Sequence, residues 1–292
     1  MSNSNTSGAP PFIILAAGRA RRYGGCKPLA PVGSNGEAVI DLVASDARRA
    51  GFGTIVLVLG RETGPAIRYH VERVWPKSVN VAFAYQEAPL GTVHAVLAAS
   101  DLVADAPYGV GNADDIYGLA ATELLANHLR GNQPTSALVG FRLADATVGT
   151  APVTRGICAV SDDGNLIGLD ERRQVTPLGD GSGGFRSADG NQPELIPSDA
   201  RVSMNLWGFT PEFHHTLRQA MNSATTASEE SEVLLPEVVA SSLASTMFTV
   251  LPASGRCIGV THPDDLGLVR GELAEAVGAG DRPARLFSSL DP

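Results

Sequence analysis

Lysine is nearly absent from this chain. Of its 22 basic residues, Lys27 and Lys77 are the only lysines, and the other twenty are arginines. Cysteine is scarce too. Cys26, Cys158 and Cys257 are an odd number, widely spaced and without a Cys-x-x-Cys pair, which excludes a disulfide framework and a zinc site of the usual spacing. Reduced thiols of that kind suit a cytoplasmic protein. No stretch approaches the roughly 20 apolar residues of a membrane helix. The first ten residues carry no basic region, and the run Phe12–Ala17 is too short for a secretion signal. There is no dense basic run either, and the net charge is −9, so a general binder of the nucleic-acid backbone is not expected. What remains is a 292-residue chain, 43% hydrophobic and rich in Gly and Pro. That length holds one large α/β domain or two small ones, with a core that needs no disulfide or metal staple.

Phe12–Leu15 is a short apolar run ending at Ala-Ala-Gly and reads as a buried strand. Residues 37–50 place Val39, Ile40, Val43 and Ala47 at helical spacing before a Gly51 stop. Strands follow at 54–59, 79–85 and about 107–111, with helices at about 63–75 and 91–100. Strands that are apolar throughout and alternate with helices predict a mixed, mainly parallel Rossmann-like sheet flanked by helices. The second half is less regular. Strands are expected at 135–141 and 156–160, and Ser161–Asn165 turns a hairpin into 166–169. Residues 176–200 read as a long surface loop, 202–209 as a strand, 211–221 as a helix, and 223–232 as a polar linker. A helix at 233–243, strands at 246–251 and 256–260 and a helix at 264–277 complete the chain. The expected organisation is a tail at 1–10, one domain at 11–280 and a tail at 281–292. Within the domain, the regular part covers about 11–130 and the less regular part about 131–280.

The most informative segment is Leu15–Leu29. It follows the first strand, so it sits at the carboxyl edge of the sheet, where open α/β folds bind ligands. Ala16, Ala17 and Gly18 allow close backbone approach to phosphate oxygens. Arg19, Arg21, Arg22 and Lys27 gather positive charge in an otherwise acidic chain. Because arginine is the default cation here, Lys27 suggests a need for a compact, movable ammonium. Neither a P-loop nor a Gly-x-Gly-x-x-Gly pattern fits. Further along, Gln86 precedes Pro-Leu-Gly-Thr. Its amide suits a nucleobase edge, while Gly91 and Thr92 at a helix start suit close backbone approach, or an ordinary N-cap. At the end of an apolar strand lie Asp114 and Asp115. Their hard oxygens suit Mg²⁺ shared with substrate phosphates, although Asp115 also reads as a helix cap. His94 reads as a packing residue.

The segment Leu15-Ala-Ala-Gly18, with Arg22 and Lys27-Pro-Leu29, resembles the signature loop of the sugar-phosphate nucleotidyltransferases. Ala20 stands at the second glycine of that pattern and Arg21 where Thr or Ser is common. The resemblance implies that Leu15, the 16–22 backbone with Arg19, and Arg22 hold the phosphates of an NTP, while Lys27 balances charge during transfer. Gln86 with Pro89-Leu-Gly-Thr92 resembles the base-binding segment, and Asp114 the metal-binding aspartate of Gly-Asp, with Ala113 at the glycine. Glu171-Arg172 resembles a Glu-Lys pair that holds the acceptor, with Arg155 lining the same pocket. Related enzymes place a second metal-binding aspartate on a late strand, where this chain has Gly259. Asp264 is the substitute expected here, although Asp264 and Asp265 also suit a helix start. A narrower resemblance, through 112–118, 155–158, 202–209, 234–238 and 259–261, is to a bacterial nucleotidyltransferase group without an assigned acceptor. It adds Asn205 as an acceptor-site residue. The implied reaction joins an NTP to a small phosphorylated acceptor, a sugar 1-phosphate first of all, using Mg²⁺ and releasing pyrophosphate. Two alternatives stay open. One is cytidylyl or guanylyl transfer to a non-sugar phosphate. The other is a non-catalytic nucleotide-binding regulator, suggested by Ala20 and Gly259. Nothing in the sequence sets an oligomeric state.

Overall fold

The computed structural model describes residues 8–18, 25–103, 105–132, 134–181, 183–227, 232–260 and 265–287. Arg19, Arg22 and Asp264 of the expected site lie outside the described residues.

The first half alternates as expected. In chain order it runs β1 (Phe12–Ala16), α1 (Val39–Arg49), β2 (Ile55–Leu59), α2 (Gly64–Val74), β3 (Val81–Tyr85), α3 (Gly91–Ala98), a single-turn α4 (Ser100–Val103), β4 (Tyr108–Asn112), a two-residue β5 (Asp115–Ile116) and α5 (Leu119–Leu129). The second half runs β6 (Ser136–Arg142), β7 (Val153–Val160), β8 (Leu166–Pro177), β9 (Phe185–Ser187), β10 (Leu195–Ile196), β11 (Arg201–Phe209), α6 (Pro211–Ala227), α7 (Leu235–Ser242), β12 (Phe248–Pro252), β13 (Ile258–Gly259) and α8 (Asp265–Gly278).

β3, β2, β1 and β4 are parallel neighbours in that order, and every residue of β2 is buried. Such continuous apolar strands need cover on both faces. They have it. One cluster packs Phe12, Ile14, Leu57 and Phe52 under α1 and α5, and the other packs Ile13, Val56, Val58 and Val110 under α3, α6 and α7. β11 then pairs antiparallel with β4 and carries the sheet onward through β7, β8, β9 and β10. On its other edge β11 meets β6, which pairs in parallel with β12.

β11 is the junction of the molecule. Trp207–Phe209 pair with β4, whereas Val202 and Ser203 pair with β7, and a register shift separates the two stretches. Asn205 sits in that irregularity with φ of 58°, a left-handed conformation that asparagine tolerates better than most side chains. β4 and β7 part company at this point, which opens the sheet beside the carboxyl end of β1.

Four expectations need correction. The stretch 176–200 is not a plain loop: β9 and β10 extend the sheet there, with Phe185, Ser187 and Ile196 buried. β8 continues to Pro177 rather than stopping near 169. α6 runs through Ala227, into the stretch read as a linker. The strand expected at 256–260 shrinks to Ile258–Gly259, and it pairs with β5 instead of the main sheet. The Ser161–Asn165 turn forms as expected, closed by the Ser161 N–H donating to Asn165 O at 2.8 Å.

Candidate active site

At the carboxyl ends of β1 and β4 the structure opens a cleft of about 490 Å³, within the usual range for a small-molecule site. Its floor is Leu15, Ala17 and Gly18 from β1 and the turn after it, together with Asn112 and Asp114. One wall is Gln86, Gly91 and Thr92 at the start of α3, and Asn205 closes the side toward β11. Most of the expected nucleotide-side residues therefore meet. Ala16 does not reach the cleft and is buried under it. Glu232 and Leu234 also line it, and neither was expected from sequence.

The reasons are local. A Cβ on Gly18 would meet nothing within 4 Å among the described residues, so this backbone is open to the cleft. Gly91 is different. Its φ is +91°, and a Cβ there would lie 2.3 Å from Val233 O and 2.6 Å from Val233 N. The close approach that makes it a glycine is to the chain itself. Val233 N–H donates to Leu90 O, and Val93 N–H donates to Val233 O, clipping segment 232–235 onto α3. Thr92 joins the clip, its hydroxyl accepting the N–H of Leu235 at 2.8 Å. Gln86 donates its amide to Gly91 O at 3.0 Å, which leaves its Oε1 for a ligand. His94 backs it from Nδ1, 2.9 Å from Ala88 O, so it packs and braces as expected.

Lys27 opens a short 3₁₀ turn, Lys27–Leu29, and its Nζ lies 3.6 Å from Asp114 Oδ2. Burial raises the Asp114 carboxyl above its ordinary value, and Lys27 pulls against that rise. Asp115 is raised as well, first by burial and then by the Asp114 charge beside it. Asp115 is no helix cap: α5 begins after Gly118, and Asp115 instead pairs with β13 and accepts a hydrogen bond from Asn112 Nδ2 at 2.9 Å. Tyr117 fixes this turn. Its hydroxyl accepts the Asn112 N–H at 2.7 Å and donates to Met204 O at 3.0 Å, tying the end of β4 to the irregular stretch of β11. Burial holds the phenol well above its ordinary range, so it stays a donor.

The residues expected on the acceptor side divide by strand parity, since alternate side chains face opposite sides of a sheet. Ser203, Gly156 and Glu171 form one row across β11, β7 and β8. Asn205 belongs to the same face, its Oδ1 accepting the indole N–H of Trp207. At about 4.8 Å per strand, Glu171 stands roughly 10 Å from Ser203 on the cleft side. Arg155 and Arg172 pair with each other in register and face the other way. Arg172 is 2% exposed. Its guanidinium donates to both oxygens of Asp189 and to the carbonyls of Asn191 and Pro193. It is a staple that holds the β9–β10 arm, on the sheet face away from the cleft. Arg155 donates to Ala146 O and Thr154 O, which again spends it on the chain.

Residues 12–138 match the family model of the MobA-like NTP transferase domain. Among solved structures, the inositol-1-phosphate CTP transferase from T. maritima superposes with a TM-score of 0.66 at 12% identity, over 92% of this chain and 97% of that one. A UDP-glucose pyrophosphorylase, solved in complex with UDP-glucose, superposes with a TM-score of 0.63 at 15% identity, over 91% and 98%. At such identities the likeness is one of fold: a mixed, largely parallel sheet flanked by helices. No curated protein sequence matches the chain significantly. Among the described residues, no helix is long and apolar enough to cross a membrane.

Proposed function

We propose that this chain, whose residues 12–138 match the model of the MobA-like NTP transferase domain, transfers a nucleotidyl group from an NTP to a sugar 1-phosphate or a similarly small phosphorylated acceptor, releasing pyrophosphate. The observation that carries the reading is the cleft itself. Open backbone at Gly18, the carbonyl of Gln86, the Lys27–Asp114 pair and Asn205 converge on one ligand-sized space.

In-line transfer between phosphates needs placement and charge neutralisation rather than a covalent nucleophile. In this reading the Leu15–Gly18 backbone and Arg19 and Arg22 hold the NTP phosphates. Gln86 Oε1 accepts from the base, with Gly91 and Thr92 shaping that wall. Lys27 keeps an ammonium beside the phosphates as negative charge builds. The acceptor comes from the side of β11, against Asn205, with Glu171 on the same face. The nucleotide-binding half is then about 11–130 and the acceptor-side half about 131–280, as parts of one domain.

Mg²⁺ suits the donor set. Asp114 presents hard carboxylate oxygens at the cleft floor, with the Lys27 ammonium 3.6 Å away. A metal held jointly by protein and substrate phosphates needs few protein ligands. Asp114 would hold it, and when bound it would offset charge on the phosphates.

The test is pyrophosphate release. The protein is incubated with each NTP, Mg²⁺ and a panel of acceptors covering sugar 1-phosphates, polyol phosphates and phosphocholine. Release that depends on one sugar 1-phosphate supports the reading, whereas release with a non-sugar phosphate alone moves the acceptor class. Tight NTP binding by calorimetry with no turnover on any acceptor makes the chain a nucleotide-binding regulator.

A further inference from the structure

We infer that Tyr117 is a positioning residue for the transfer step, its hydroxyl setting the gap between the cleft floor that carries Asp114 and the stretch of β11 that carries Asn205. The inference rests on the nucleotidyl-transfer reading of the cleft and deepens it. The ladder between β4 and β11 runs from Tyr108 opposite Phe209 to Val110 opposite Trp207. Beyond it β4 stays with β1, Asn112 against Leu15, while β11 passes through its register shift and the left-handed Asn205. Asn112, Asp114 and Asn205 all line the cleft. Two of its sides are therefore these two strands, at the place where their ladder ends.

One phenol oxygen spans that break. It accepts the Asn112 N–H at 2.7 Å and donates to Met204 O at 3.0 Å. A ladder bond crosses between strands in a single step of about 2.9 Å. Two bonds in series hold the backbones further apart, at a spacing that the oxygen fixes. Asn112 stands two residues before Asp114, and Met204 directly before Asn205, so a shift of either backbone moves a residue that lines the cleft. The ring is held in turn. Tyr117 is 3% exposed and packs on Phe141, their centroids 6.3 Å apart. A Cβ on Gly111 would lie 2.8 Å from Tyr117 Cε2, so the glycine of β4 leaves the ring its place. Tyr117 lies beneath the cleft rather than in its lining, and its proton is given to Met204 O. It acts through the two strands it joins, not as an acid or base. Transfer between two bound phosphates is sensitive to such placement, a misfit of about 1 Å costing about a hundredfold in rate.

The experiment compares Tyr117→Phe, which keeps the ring and deletes the oxygen bridge, with the wild type. Pyrophosphate release is followed with the four NTPs and the panel of sugar 1-phosphates, polyol phosphates and phosphocholine. Calorimetry without an acceptor gives NTP affinity and the number of NTP sites, so that kcat is counted per folded site. The expected result for Tyr117→Phe is a fall in kcat of at least about tenfold, with NTP Kd within about twofold of wild type and native circular dichroism. A residue that only stabilises the fold would lower the melting temperature and the number of sites but leave kcat per site unchanged. Wild-type kcat per site in Tyr117→Phe, or a loss confined to NTP Kd, overturns the proposal. If Tyr117→Phe does not fold, Gly111→Ala decides, since its Cβ displaces the ring without deleting the hydroxyl. The same fall in kcat is expected there, and wild-type kcat per site is equally fatal. A wild type that releases no pyrophosphate with any acceptor overturns the nucleotidyl-transfer reading itself, and is recognised before any variant is compared.

Discussion

Among the described residues, strands β1 to β4 run parallel and line the cleft with backbone, small residues and Asp114 beside Lys27, while β7 to β11 run antiparallel and carry arginines that do not line it. The difference is one of how polar groups are used. On the nucleotide side, Gly18 and Ala17 contribute by what they leave open. Across β7 to β11, Arg172 and Arg155 fix strands and loops to each other, and alternate positions such as Glu171 lie on the cleft's face of the sheet. A charged residue near a site is therefore poor evidence of a ligand until its strand face is known.

The largest expected effect falls on the nucleotide side. Asp114→Asn and Lys27→Ala should each cut turnover by about a hundredfold or more, read as pyrophosphate release, while circular dichroism stays native. Gly91→Ala should come next. A Cβ there meets the Val233 backbone at positive φ, so a loss of roughly 1–3 kcal/mol in denaturant unfolding is expected, together with weaker NTP binding. If Gly91→Ala binds NTP normally, the clip to segment 232–235 does not shape the base wall. Arg172→Met breaks the comparison from the other side. Amide exchange across 185–196 should rise and acceptor KM should increase, while NTP affinity is unchanged. A selective loss of NTP affinity would mean that the two halves are not functionally separate.

How far the sequence alone reaches follows the same division. Gly18, Gln86 and Asp114 are legible as cleft-lining positions because each lies within two residues of a strand end, so local order fixes where the backbone points. Arg155 and Arg172 mislead because adjacent residues on a strand face opposite ways, and the bulge near Gln174, with φ of 52°, shifts the parity beyond it. The stretch 176–200 misleads because its glycines and serines outnumber Phe185 and Ile196, the two residues that bury it. Glu232 was hidden in a polar run, although Gly91 carried the signal, a glycine at a helix start with a backbone pressed against it.

The smallest effect separates stability from function. His70 donates to the buried carboxylate of Asp41, at 2.8 Å, and that hydrogen bond raises its pKa. A raised basic group stabilises fully below its unfolded value, about 6.5, and that contribution fades as pH rises through the folded value. Wild-type unfolding free energy should therefore fall more steeply above about pH 6.5 than that of His70→Gln. Turnover of the two, compared at one pH, should be alike.

The central claim is that the cleft of Gly18, Lys27 and Asp114 joins a nucleotide to a phosphorylated acceptor. Mass spectrometry of products from a mixed pool of NTPs and sugar phosphates tests it most directly. The expected result is one new nucleoside-diphosphate-linked product, formed with pyrophosphate by the wild type and lost in Asp114→Asn. A pool left unchanged by the wild type, or a product that Asp114→Asn forms equally well, would contradict it.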